Sequence, residues 1–205
     1  MTRIWQQRKA ANEKIVRDYA RRSPVLTCFG CADLGEEWRT IVGFDTRILV
    51  ENPDGEIVRS GPVVIGIRFH ERHLSEIPHP FEIAAILAPL SVFHPNCDRS
   101  GSVCLGRPQP GFSMELVLNQ LWAGLMMNMK VANTRPREII NARAAAYVRD
   151  RVHQFPITAK GLFEDPDEDL RNTHWYVKSD PTAVPDDGMF FEEGSSRDDN
   201  DPVDD

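Results

Sequence analysis

The chain has 205 residues, 41% of them hydrophobic, and 24 basic against 31 acidic side chains give it a formal net charge of −7. That is enough for one domain with a proper core plus additional material. No apolar run is long enough to span a bilayer, no signal-peptide core follows Met1, the basic charge is modest and no Gly-rich phosphate loop occurs, so a cytoplasmic protein without membrane or nucleic-acid partners is expected.

The first predicted element is a helix over residues 3–22. Apolar residues recur at Ile4/Trp5, Ala11, Ile15/Val16 and Tyr19, no Pro or Gly interrupts them, and Pro24 follows as a stop. Its polar face carries Arg3, Arg8, Lys9, Lys14, Arg17, Arg21 and Arg22, which is either a docking surface or an ordinary solvated face. Strands are predicted at 26–29, 38–44, 46–50 and 62–69, all rich in Val, Ile, Thr and aromatic residues. Asn52-Pro53-Asp54-Gly55 is a hairpin turn. Pro78-His79-Pro80 then leads into an apolar segment at 81–87.

Residues 93–105 form a polar turn bounded by apolar residues, Phe93-His94-Pro95-Asn96-Cys97-Asp98-Arg99-Ser100-Gly101-Ser102-Val103-Cys104-Leu105. The loop 105–111 follows. Ser113 then caps an apolar helix predicted over 114–129, whose methionines and tryptophan read as core. Residues 133–138 lead into a last helix over 139–155. The order helix, antiparallel meander, loop, helices reads as α+β.

From residue 157 onward the composition changes. This stretch holds 15 of the acidic and four of the basic side chains, which leaves residues 1–156 with a balance of +4. Residues 1–156 therefore read as the folded domain and 157–205 as an acidic, largely disordered tail that cannot bury enough apolar surface to order alone. Two apolar islets interrupt it, at 174–177 and 189–191. The first, with Trp175 and Tyr176, is expected to dock on the domain.

The segment 93–105 resembles the active site of ubiquitin-conjugating enzymes, in which a His-Pro-Asn triplet precedes the thioester-forming cysteine at this spacing. The resemblance covers roughly residues 3–155, but only 93–105 is specific. It implies a ubiquitin-conjugating-enzyme-like fold with an N-terminal helix, a four-stranded antiparallel meander and C-terminal helices. It implies that Cys104 carries a ubiquitin-like modifier as a thioester and passes it to an amine of a target protein. Thiolate is a good nucleophile and a good leaving group. Asn96 is then either the amide donor to the tetrahedral oxyanion or the residue that fixes the loop, while His94 and Pro95 shape the turn. Glu138, and more weakly Asp98, are candidates for an acid that helps the attacking amine lose its proton; Glu138 also reads as a plain helix-start acid. The partners implied are the modifier, an activating enzyme docked on the N-terminal helix, and the target. No cofactor or metal is implied, because ATP is spent upstream. The short Cys-Leu-Gly loop, without the tryptophan usual in eukaryotic members, looks more like bacterial relatives, some of them implicated in phage defence. An alternative of the same fold is an inert modifier-binding module.

Two other chemistries compete for the cysteines. Cys28-Phe29-Gly30-Cys31 could join Cys97 and Cys104 in a four-thiolate zinc site, but the second pair is too widely spaced for a knuckle. A redox C-x-x-C lacks its βαβ context, which leaves two small strand-end cysteines as the plain reading.

Overall fold

The structure, a computed structural model, describes residues 2–127, 140–151 and 161–163. Glu138, the lead-in at 133–138, both apolar islets and the acidic runs from 164 onward lie outside the described residues.

Helix α1 (Arg3–Arg22) begins where the Thr2 hydroxyl accepts the Trp5 N–H, and it ends with the Ser23 N–H bonded to Tyr19. Its buried stripe is Trp5, Lys9, Asn12 and Val16. Lys9 is therefore not part of the solvated basic face. Its ammonium lies 2.6 Å from the Asp33 carboxylate and is 4% exposed. The positions one and two turns from Trp5 face the sheet whatever their charge, and Asp33 compensates Lys9 there. On the outer face, Lys14 and Arg21 pair with Asp18, and Arg17 pairs with Glu13.

The sheet is antiparallel, in the order β1 (Leu26–Asp33), β2 (Glu37–Phe44), β5 (Val63–His70), β6 (Ala84–Ala88) and β7 (Ser102–Val103). Alternation decides which face is core: Trp38, Thr40, Val42 and Phe44 of β2 point inward, as do Val63, Ile65, Ile67 and Phe69 of β5. They meet the apolar side of α2 (Met114–Leu125), with Met114, Val117, Leu118, Leu121 and Trp122 all buried. Phe44 stacks on Trp122 with centroids 6.0 Å apart.

The expected four-stranded meander is corrected in its third strand. The predicted 46–50 strand does not join the sheet. As β3 (Ile48–Glu51) it pairs with β4 (Ile57–Ser60), a strand that sequence reasoning missed, in a separate hairpin. The Asn52 turn closes it, with Asn52 Oδ1 accepting the Asp54 and Glu56 N–H groups. Ile48, Leu49 and Val50 are all buried. Both faces of β3 are covered, so it leaves the sheet to roof a second, smaller core with Phe93, Met127, Ala144 and Val148.

Helix α2 stops at Leu125, short of the predicted 129, and Met127 turns into the left-handed region with φ 53°. Helix α3 (Ala142–Asp150) starts later than the predicted 139, with the Asn141 side chain capping Ala144. Residues 161–163, which composition assigned to the tail, belong to the fold. Leu162 is 1% exposed in the main core, and Phe163 packs edge-on against Tyr19 at 4.8 Å with Arg22 over its ring. An apolar pair inside an otherwise charged stretch is too short to shift a composition average. Among the described residues, no helix is long and apolar enough to cross a membrane.

Candidate active site

The loop that carries His94 is held from three sides. The Phe93 N–H bonds the Leu49 carbonyl of β3 at 2.8 Å, the Asn141 N–H at the start of α3 bonds the Pro95 carbonyl at 3.3 Å, and the Leu105 N–H bonds the Pro80 carbonyl at 3.2 Å. Asn141 and Leu49 are supports that sequence reasoning missed. An Asn ahead of an Ala-rich run is an N-cap signal, and it places the helix start at its observed position.

His94 is buried, and its ring is fixed at both nitrogens. Nδ1 lies 3.0 Å from the Asn96 backbone N–H, which can only donate. Nδ1 therefore accepts, the proton sits on Nε2, and Nε2 donates to the Gly124 carbonyl at 2.9 Å. That carbonyl belongs to the last turn of α2, where it also accepts the Met127 N–H at 2.8 Å. Burial lowers the His94 pKa, with the Gly124 carbonyl opposing it, so the ring is neutral and both its nitrogens are committed. It holds the turn at Asn96 to the end of α2.

Residues 96–98 and 102–104 run antiparallel. Cys97 bridges Val103, the Asp98 N–H bonds the Ser102 carbonyl at 3.1 Å, and the Cys104 N–H bonds the Asn96 carbonyl at 2.8 Å. The Cys104 N–H bond to the Asn96 carbonyl thus sets the two residues side by side at the mouth of the hairpin, with Asn96 buried and Cys104 half-buried. Cys97 and Val103 enter the core. Alternation separates the two thiols. Cys104 is half-buried, whereas Cys97 is buried and its thiol is pushed well above the ordinary range, first by burial and then by Asp98 and Cys104.

Asp98 closes the hairpin. Its Oδ1 accepts the Ser100 N–H, the Ser100 hydroxyl and the Ser102 N–H. Partial burial raises its pKa, but these bonds outweigh it and hold the carboxyl below its usual range. Asp98 is therefore an ionised loop-former whose Oδ1 is fully used. Gly101 has φ 87°, and a Cβ there would lie 2.7 Å from the Ile86 carbonyl oxygen, so the turn requires glycine.

Cys28 and Cys31 lie on β1, at the opposite edge of the sheet from β7. Four strand spacings make about 19 Å, which rules out one four-thiolate site with Cys97 and Cys104. Among the described residues, no group of three or more His, Cys, Asp and Glu side chains could hold a metal ion. No protein-family model matches the chain, and no curated protein matches it in sequence.

Proposed function

We propose that the chain is a conjugating enzyme for a ubiquitin-like modifier, with the ubiquitin-conjugating-enzyme-like fold and of the type found in bacterial ubiquitin-like pathways, phage defence among them. One observation carries the reading: His94 holds the turn at Asn96, and the Asn96 carbonyl takes the N–H of the half-buried Cys104, so the two residues are neighbours across the hairpin. The order of N-terminal helix, antiparallel sheet, active-site loop and helices supports the fold assignment.

In loading, the Cys104 thiolate attacks the thioester carbonyl of a modifier held on the activating enzyme, and that enzyme's thiolate leaves. In discharge, an amine of the target attacks the Cys104 thioester. The tetrahedral oxyanion takes a hydrogen bond from the Asn96 amide, the C–S bond breaks, and the Cys104 thiolate leaves while the amine gives up its proton. An amine of ordinary pKa about 10.4 needs help with that proton. The Asp98 carboxylate is tied into the hairpin through Oδ1, and Glu138 remains the candidate acid that would assist. Charge pairing along α1, and the packing of the half-buried Arg8 over Phe69, leave Arg3, Arg22 and the rims of the Glu13 and Asp18 pairs as the surface on which the activating enzyme would dock.

The test is incubation with an activating enzyme, ATP and its modifier, followed by non-reducing electrophoresis. Wild type gives a thiol-sensitive adduct, Cys104→Ser a thiol-resistant ester or none, and Cys104→Ala none. An adduct that survives Cys104→Ala and is lost in Cys97→Ala overturns the assignment.

A further inference from the structure

The C-x-x-C of β1 is not explained by the site above. On a regular strand, residues i and i+3 point to opposite faces. Here they do not. Cys28 pairs with Val42 and Cys31 with Thr40, while Gly30 pairs with Ile41 and Phe29 has no partner, so a bulge inserts one residue between the cysteines. Val42 and Thr40 both face the core, and Cys28 and Cys31 face it with them. Phe29 points the other way, 62% exposed, with its ring laid over Gly43, where a Cβ would meet it at 2.8 Å. The bulge thus turns Phe29 outward and both thiols inward, where they stand as neighbours.

Thr40 fixes this arrangement. Its hydroxyl donates to the Gly30 carbonyl at 2.8 Å, inside the bulge, and lies 3.4 Å from the Cys31 sulfur. Both cysteines are half-buried, not sealed. The Cys31 thiol is raised first by burial; the Thr40 contact opposes this, and the neighbouring Cys28 adds to it. Glu13 and Arg17 of α1 lie close enough to act on the pair electrostatically.

We propose that Cys28 and Cys31 form a redox-active dithiol, oxidised to an intramolecular disulfide by exchange with a small disulfide such as oxidised glutathione, independently of Cys104. One cysteine thiolate attacks a glutathione sulfur, forming a mixed disulfide and releasing one glutathione thiolate. The second cysteine thiolate attacks the protein sulfur of that mixed disulfide and releases the other glutathione. The protein loses two electrons and two protons, and oxidised glutathione becomes two reduced molecules. The bond would fix the bulge in the edge strand on which α1 packs through Lys9–Asp33 and through Trp5 Nε1 to the Gly35 carbonyl.

The experiment equilibrates the full chain in glutathione buffers of known ratio, with and without urea, then traps thiols by alkylation and maps peptides by mass. In the folded protein the peptide holding Cys28 and Cys31 loses two hydrogens and takes no alkyl group. The exchange constant is larger folded than in urea, by up to about twentyfold if the chain-entropy relation for a four-residue loop holds without strain. Cys28→Ser stops at a glutathione adduct on Cys31, which shows that the second step needs the partner thiol. No oxidation of the folded wild type, persistent glutathione adducts on it, or a constant larger in urea than in buffer overturns the proposal.

Discussion

Replacing His94 tests the architecture of the site at its centre. The ring is fully enclosed, accepts the Asn96 N–H at 3.0 Å and donates to the Gly124 carbonyl at 2.9 Å. In His94→Ala the Asn96 N–H is stranded in a buried loop, at a cost of about 1–3 kcal/mol, and the emptied ring volume adds about 2 kcal/mol. Gly124 loses less, because its carbonyl also accepts the Met127 N–H at 2.8 Å. The sum is about 3–5 kcal/mol, or a melting temperature lower by about 6–20 °C for a domain of this size. His94→Asn separates the two bonds. An Asn side-chain oxygen can accept the N–H two residues on, so the first bond is kept and the loss falls to about 1–2 kcal/mol. pH adds a second readout. Burial holds the His94 pKa below its ordinary value, so the unfolded chain takes up a proton below about pH 6.5 that the folded ring resists. Stability is therefore full above pH 6.5 and is lost as pH falls toward the folded pKa, and buried His73 adds a loss of the same sign. His94→Asn flattens that slope by up to about 1.4 kcal/mol per pH unit. Urea unfolding from pH 7.5 to 5, followed by near-ultraviolet circular dichroism, gives both quantities. Equal losses in the Ala and Asn variants, or an unchanged slope, would refute the assigned tautomer and its role.

Three further outcomes follow from the same structure. Under native alkylation at pH 8, Cys104 is labelled at least about a hundredfold faster than Cys97, whose thiol is buried and held protonated; comparable rates by peptide mass mapping would mean the hairpin does not separate the two faces. Leu162→Ala lowers stability by about 2–5 kcal/mol, and a chain cut after Gly161 melts lower than one cut after Phe163, because Leu162 fills the core; identical melting curves would return residues 161–163 to the tail. Lys9→Glu sets two carboxylates together where Lys9 now meets Asp33 and should prevent stable folding, whereas Arg17→Glu on the solvated face leaves the fold intact with little change in melting temperature; thermal melts rank them, and equal effects would remove Lys9 from the buried stripe.

Much of this was legible where a local rule acts alone. Pro24 stops α1, alternation marks the inward faces of β2 and β5, and the Asn52 turn announces a hairpin. The His-Pro-Asn and Cys-Leu spacing already singled out residues 94, 96 and 104. Where two rules conflict, the reading went astray. Lys9 falls on the same helical stripe as Trp5, Asn12 and Val16, but its charge suggested solvent, and Asp33 that neutralises it lies 24 residues away. Ile48-Leu49-Val50 shows no alternation, a sign of a strand covered on both faces, yet an unbroken apolar run reads equally as a central strand. The lock on His94 depends on a helix-end carbonyl 30 residues distant, and the bulge at Phe29 leaves no mark in composition. Contacts of that range are set by packing, which a local pattern does not encode.

The most direct test of the account is the rate at which a thioester on Cys104 is taken by an amine. The wild-type protein is acylated with a glycyl peptide thioester, purified, and mixed with free lysine, and the loss of the adduct is followed by intact mass. The expected result is a thioester mapped to Cys104 that transfers its acyl group to lysine about a hundred- to a thousandfold faster than the same adduct on Asn96→Ala, with the variant still folded. If Asn96→Ala discharges at the wild-type rate, or if wild-type discharge is no faster than that of the acylated protein unfolded in urea, then Asn96 and Cys104 are neighbours only as parts of a turn, and the chain is not a conjugating enzyme.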